Sequence, residues 1–171
     1  MSLVSPGARV RATAEPVRIL CMDMVVDLIE GASVLDLFAG SGAVGLEMLS
    51  RGAARCDFVE DGPAALHALK ANVAAFRAKG RCRIFRRDAI PFVERLPEHR
   101  YDIAFADPPY GSRKLERVVA RWKTAPFSRV LLVEHPADHA LGVRGASRRY
   151  EDTRITILRS RFTPRPAREP R

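Results

Sequence analysis

The 171 residues carry 29 Lys and Arg against 20 Asp and Glu, a formal net charge of +9, and 47% of them are hydrophobic. A chain of this size fits one domain with an ordinary core, and no apolar run approaches the ~20 residues of a membrane span. The N-terminus has neither the basic start nor the apolar run of a secretory signal, so a cytoplasmic protein without membrane contact is expected.

The charge is unevenly spread. Residues 1–60 hold five Lys/Arg against eight Asp/Glu, whereas residues 61–171 hold 24 against 12. Two basic runs stand out: Arg77, Lys79, Arg81, Arg83, Arg86 and Arg87, then Arg113, Lys114, Arg117, Arg121 and Lys123. A polyanionic partner such as RNA or DNA is the reading, although charge says nothing about chemistry. The three cysteines, Cys21, Cys56 and Cys82, have no CxxC spacing and fit neither a disulfide framework nor a zinc site. Cys56 and Cys82 fall in apolar strand-like runs and read as small core residues. The histidines (His67, His99, His135 and His139) are read as lacking a metal-ligand arrangement, so no metal is expected. His135 follows an apolar strand, a place where a cleft can open.

Along the chain, residues 1–14 read as an irregular lead-in. Val17, Leu20, Met24 and Leu28 recur at helical spacing from Glu15 to about Leu28, and Gly31 closes that helix. Ser33 to Phe38 is a buried strand. The turn Ala39-Gly40-Ser41-Gly42 then opens a helix running to about Ser50. Cys56 to Glu60 is a second strand, and Gly62-Pro63 starts an Ala-rich helix over about residues 64–78. Cys82 to Arg86 is a third strand, with a short helix near Phe92-Val93-Glu94. Tyr101 to Ala106 is a fourth, followed by a helix from about Lys114 to Trp122. Arg129 to Glu134 is a fifth. Ala146–Tyr150 and Arg154–Arg159 alternate enough to be a closing pair. The domain thus covers residues 15–160, and the Pro- and charge-rich residues 161–171 read as a disordered tail.

Strands apolar on both faces that alternate with helices indicate an α/β fold, a parallel sheet covered on both sides. The closing pair suggests an antiparallel addition at one edge.

Two segments carry chemistry. The first is the glycine turn after strand one, where missing Cβ atoms let a ligand approach the backbone and a helix N-terminus offers free N–H groups. Glu60, 24 residues after Asp36, ends strand two, where a carboxylate can take both hydroxyls of a ribose. A nucleoside-bearing cofactor follows. Gly40-x-Gly42-x-x-Gly45 also matches the dinucleotide pattern, so an NAD(P) oxidoreductase stays open at this point.

The second segment, Asp107-Pro108-Pro109-Tyr110, ends strand four. Its prolines force the backbone out of the sheet in a rigid extended turn. Asp107 and the Pro108 carbonyl then form two fixed acceptors, and Tyr110 a flat platform. Such a pair can hold both hydrogens of an aromatic exocyclic amine and aim its nitrogen at a methyl donor. Asp107 would also stabilise the positive charge that develops on that nitrogen. Tyr110 would stack on a splayed or flipped base. Hydride transfer has no use for this arrangement.

Residues Val34 to Ala53, with Phe58-Val59-Glu60, Asp107-Pro108-Pro109-Tyr110 and Tyr150-Glu151-Asp152-Thr153, resemble the bacterial 16S rRNA (guanine-N2) methyltransferases of the RsmD type. Arg11-Ala12-Thr13 and Val17-Arg18 are similar to that family's Arg-Pro-Thr…Val-Arg helix entry, and Glu151 stands where the family has Gly. Pro16 and Ile19 occupy positions that the family usually fills with charge, and about ten residues precede Arg11, where the family carries a basic β-hairpin.

The resemblance implies a Rossmann-like class I fold with seven strands, one of them reversed. It implies S-adenosylmethionine (SAM) held by Asp36, Phe38, Ala39, Gly40, Ser41 and Gly42, with Glu60 and Asp61 toward the ribose and Asp88-Ala89 beside the adenine. The target base would meet Asp107, Pro108, Pro109 and Tyr110, and Arg113 would bind substrate. Ribosomal RNA, alone or in the small-subunit particle, is the implied partner. An adenine-N6 methyltransferase acting on DNA or RNA shares the Asp-Pro-Pro-Tyr turn and is the alternative within the class.

Overall fold

The computed structural model describes residues 13–161, so the lead-in before Thr13 and the tail beyond Arg161 lie outside the described residues. The elements are α1 (Glu15–Ile29), β1 (Ser33–Leu37), α2 (Ala43–Ser50), β2 (Arg55–Glu60), α3 (Pro63–Ala75), a 3-10 turn (Lys79–Arg81), β3 (Cys82–Arg86), α4 (Ala89–Glu94), β4 (Tyr101–Ala106), α5 (Lys114–Thr124), β5 (Ser128–Pro136), β6 (Ala146–Tyr150) and β7 (Thr153–Arg159). They build one seven-stranded sheet in the order β3-β2-β1-β4-β5-β7-β6. β7 is antiparallel to both neighbours, and the other pairings are parallel. The expected α/β architecture, with a single reversed strand, is what the chain adopts.

Alternation along the strands splits the core in two. Val34, Phe58, Ile103, Phe105, Val130 and Leu132 face α1, α2 and α3. Leu35, Leu37, Val59, Ala104, Leu131 and Val133 face α4 and α5, which contribute Ile90, Val93, Leu115, Val118 and Trp122. Of the two cysteines expected in the core, Cys56 is buried, whereas Cys82, at the outer strand β3, is half-buried; Cys21 is buried as well.

The strand order reverses between β1 and β4. β1 is followed by β2 on one side, and β4 lies against its other edge. Asp102 pins this pair at its N-terminal end, accepting hydrogen bonds from the Ser33 backbone N–H (2.9 Å) and Oγ (2.7 Å). At the opposite end Leu37 pairs with Ala106, so the residues that follow, Phe38 and Asp107, leave the sheet side by side.

Several basic residues turn out to be structural. Arg83 makes a two-point contact with Asp57, 2.9 Å and 2.5 Å, and Tyr101 donates to the same carboxylate at 2.7 Å. Asp57 is 1% exposed, so removing either donor would leave a buried carboxylate short of a partner. Arg81 donates to the Leu49 carbonyl at the C-terminal end of α2. Arg121 does the same for the Ala125 and Leu96 carbonyls. Of the eleven residues in the two basic runs, five (Arg81, Arg83, Lys114, Arg117 and Arg121) are thus engaged by carboxylates or carbonyls of the fold.

α3 ends at Ala75, three residues earlier than its apolar pattern suggests. The Arg77 N–H bonds to the Ala74 carbonyl and the Ala78 N–H to the Val73 carbonyl, each at 3.0 Å, while Arg77 takes φ +52°. This is a left-handed helix stop of the kind glycine usually makes. Glu151 repeats the situation at φ +50° in the two-residue turn between β6 and β7, at the first central position, where glycine is favoured. Left-handed backbone costs a side-chain-bearing residue about 1–2 kcal/mol, partly offset by the looser unfolded chain that glycine brings. Arg77→Gly and Glu151→Gly are each expected to raise unfolding free energy by up to about 1 kcal/mol. Urea unfolding checks this, and a loss of stability at either site would contradict the assigned strain.

Candidate active site

The glycine turn is gripped from three sides. Asp36, 1% exposed, accepts from the Gly45 N–H at 3.0 Å from beneath the first turn of α2. Glu60, at the end of β2, accepts from the Gly40 N–H at 2.8 Å through one carboxylate oxygen. Through the other it accepts from Asp61 and Gly62. Asn72 of α3, also 1% exposed, donates to the Ser41 carbonyl at 2.9 Å. Asn72 carries no motif; its one sequence signal is a polar residue on the Leu69–Val73 face of an Ala-rich helix.

The two glycines do different work. A Cβ on Gly40 would meet open space, its nearest neighbour the Phe38 carbonyl at 4.0 Å. A Cβ on Gly42 would collide with Leu69 Cδ1 and lie 3.3 Å from Phe58 Cε1. The expectation that the missing Cβ atoms of this turn make way for a ligand therefore does not hold at Gly42, which makes room for the core. Gly40, half-exposed at φ +57°, is the position that leaves space for a ligand.

Asp36 has the unusual titration of the site. Burial pushes its carboxyl from the ordinary 3.8 up to about 8, and the charge of Glu60 adds to the shift. The Gly45 N–H opposes it. Asp36 thus supports the turn from inside the fold. Phe38, at φ +57°, ends β1 with its ring 5.7 Å from the Lys114 ammonium.

Asp88 caps α4 by accepting from the Ile90 N–H at 2.9 Å, which, with the Lys114 ammonium at 3.2 Å, holds its carboxyl below the usual range. Lys114 therefore ties the β3 end to the β1 end, a role the sequence did not reveal. Ala89 is buried, Asp61 exposed.

At the end of β4, Asp107 is half-buried, Pro108 buried, and Pro109 and Tyr110 exposed. Ser112 closes the turn, donating to the Pro109 carbonyl from its N–H (3.2 Å) and Oγ (2.6 Å). The Pro108 carbonyl stands outside that closure. Tyr110, 45% exposed, has its hydroxyl 3.3 Å from Thr153 Oγ1 on β7.

Beside the turn lies a cavity of 160 Å³, lined among others by Pro108, Tyr110, Arg113, Glu134 and His135. His135 is buried between the Pro136 carbonyl and Thr156 Oγ1, each 2.9 Å away, and burial depresses its pKa. It borders a cleft, although β5 runs on through it to Pro136, two residues beyond the strand end expected at Glu134. Glu134 beside it lines the same cavity, although in the sequence it signals nothing beyond a strand end. His135 and His139 are in fact four residues apart, a spacing that metal ligands can use, and their ring centroids lie 6.0 Å apart. Among the described residues no group of His, Cys, Asp and Glu is arranged to hold a metal ion, and no helix is long and apolar enough to cross a membrane.

The family described as Conserved hypothetical protein 95 matches residues 3–144. The chain belongs to this family. A 115-residue stretch is 36% identical to Ribosomal RNA small subunit methyltransferase D of Escherichia coli K12, covering 67% of this chain and 56% of that protein. Another of 115 residues is 31% identical to "Putative rRNA methyltransferase YlbH" of Bacillus subtilis, covering 66% and 62%. These matches span about three fifths of the curated relatives' length. Among solved structures, "Putative methyltransferase yhhF" from Escherichia coli superposes with a TM-score of 0.72 at 26% identity, over 86% of this chain and 88% of that one. The resemblance to the RsmD family and the Rossmann-like fold both stand.

Two outcomes test this geometry. Gly42→Ala is expected to destabilise the protein by roughly 1–3 kcal/mol through overpacking, whereas Gly40→Ala costs only backbone strain, as thermal unfolding will show. Asp36, with its folded pKa raised, contributes stability that is fully present below about pH 4 and lost as pH rises toward 8. Between those limits the loss runs at about 1.4 kcal/mol for each step of one in pH. Asp36→Asn keeps the acceptor and removes the titration, so wild-type stability relative to this variant should fall from pH 4 to 8. A flat difference would place Asp36 in a far more polar setting.

Proposed function

We propose that this protein transfers a methyl group from SAM to the exocyclic N2 amino group of a guanine in small-subunit ribosomal RNA. The observation that carries the reading is the register that brings the glycine turn and the Asp107-Pro108-Pro109-Tyr110 turn together, through the Leu37–Ala106 pair. The family and the curated relatives support rRNA as the substrate class.

The residues fit the cofactor. Gly40 leaves open space at the turn, Glu60 ends β2 half-exposed beside it, and Phe38 offers a ring at the mouth. When bound, SAM supplies an electrophilic methyl group on a sulfonium. Glu60 would accept from the ribose hydroxyls while holding the Gly40 N–H, and Asp61 would lie toward the same sugar. Asp88 and Ala89 would flank the adenine.

The chain's own task is to present the amine. An exocyclic nitrogen on guanine is a weak nucleophile because its lone pair is delocalised into the ring. The Asp107 carboxylate and the Pro108 carbonyl would each accept one of its two N–H hydrogens and orient the nitrogen. Asp107 lowers the barrier as positive charge grows there. No strong base is needed, because the methylated ammonium is acidic enough to lose its proton to water. Tyr110 would stack on the base, and Arg113, on the same cavity wall, would meet a phosphate.

Asp107→Ala should lower kcat ~10²–10³-fold with SAM affinity nearly unchanged. Tyr110→Phe should keep most activity, and Tyr110→Ala should lose about 1–3 kcal/mol of stacking. The assay is nucleoside analysis of rRNA from a strain lacking this gene, treated with protein and SAM, with N2-methylguanosine as the expected product. N6-methyladenosine would transfer the assignment to the adenine enzymes, and calorimetry showing NADH binding in place of SAM would end it.

A further inference from the structure

We infer that the face of β6 and β7 that carries Ser147, Arg149, Arg154 and Thr156 is the phosphate-binding track along which the substrate RNA reaches the Asp107–Tyr110 turn. The inference rests on the proposed rRNA reading and adds where on the molecule the RNA backbone runs. A groove of 480 Å³ lies on this face, lined by His135, His139, Arg144, Ser147, Arg154 and Thr156 among others. The 160 Å³ cavity at the turn is lined by the same His135 and His139, so the two spaces adjoin. A base seated against Tyr110 therefore has its backbone at the mouth of the groove.

The chemistry of the groove is that of an anion track. Arg154 pairs directly with Arg149 across the antiparallel ladder, and like charges placed opposite each other weaken a sheet. None of Arg144, Arg149 and Arg154 forms an ion pair among the described residues; the Arg149 Nε is turned to the Glu151 carbonyl. Other basic residues without an ion pair among the described residues, such as Arg77, Lys79, Arg86 and Arg87, lie around β3 at the opposite end of the sheet. Arg83, Lys114 and Arg117 are matched to Asp57, Asp88 and Glu94, and Arg81 and Arg121 to backbone carbonyls. Among the described residues no acid lines the groove; Glu116, on the wall of the 160 Å³ cavity, faces His139 at 3.3 Å.

The test compares wild type, Arg144→Ala/Arg149→Ala/Arg154→Ala, and Arg77→Ala/Lys79→Ala, the last changed where the chain enters β3, at the far end of the sheet. Binding to deproteinised small-subunit rRNA is measured across a salt series. The triple variant is expected to bind at least ~10-fold more weakly near 0.1 M salt. Its log–log salt dependence should be shallower by about two, at roughly 0.7–0.9 for each phosphate no longer neutralised. SAM affinity should be unchanged and the melting temperature no lower, while the far-end variant behaves as wild type. Wild-type binding that the triple variant retains in full, or a far-end variant that weakens it equally, would overturn the track and leave the methyl transfer standing. Wild-type protein that shows no salt-dependent binding either to deproteinised rRNA or to the small-subunit particle would remove the track and the rRNA substrate together.

Discussion

Everything at the active site depends on two strands lying edge to edge although some 60 residues separate them in the chain. β1 and β4 meet where the strand order reverses, so no connection crosses the C-terminal end of the pair and a crevice remains. The Ser33–Asp102 contacts fix the pair at one end. The other end then delivers an open turn, with its glycines, next to a rigid one, with its prolines. Cofactor contact needs a backbone that can be approached, and amine presentation needs one that cannot move.

The glycine turn owes its shape to groups that never meet a ligand. Asp36 and Asn72 work from inside the core, and Glu60 is shared between the turn and the space in front of it. A charge on Asp36 would be costly in that setting, which is why its proton is held so strongly. The site is thus supported by polar groups in the hydrophobic interior, each matched by a backbone donor or acceptor.

Much of this was legible in the sequence, for physical reasons that differ by element. The central parallel strands are short and apolar on both faces, so they were visible, although β5 runs on through His135 to Pro136 past its apolar run; the glycine and Asp-Pro-Pro-Tyr turns stand out because their backbone demands restrict residue choice. Arg77 hid a helix stop because the residue type usual there is absent. Asn72 and Lys114 were silent because their partners are 31 and 26 residues away. Charge was the most misleading signal. Arg81, Arg83 and Arg121 look like a nucleic-acid surface in a linear count, and the fold turns each of them to a carbonyl or a buried carboxylate.

The position of β6 has one more consequence. All five of its residues are exposed, and its outer side carries backbone N–H and C=O groups with no neighbouring strand among the described residues. Such an edge invites another strand to pair with it, and side-by-side arginines are among the devices that keep strands apart. Arg148 and Arg149 therefore guard the sheet against self-association as well as giving it charge. Replacing them with β-branched apolar residues would turn this edge into a template for aggregation, and charge neutralisation there should be made with small or polar residues instead.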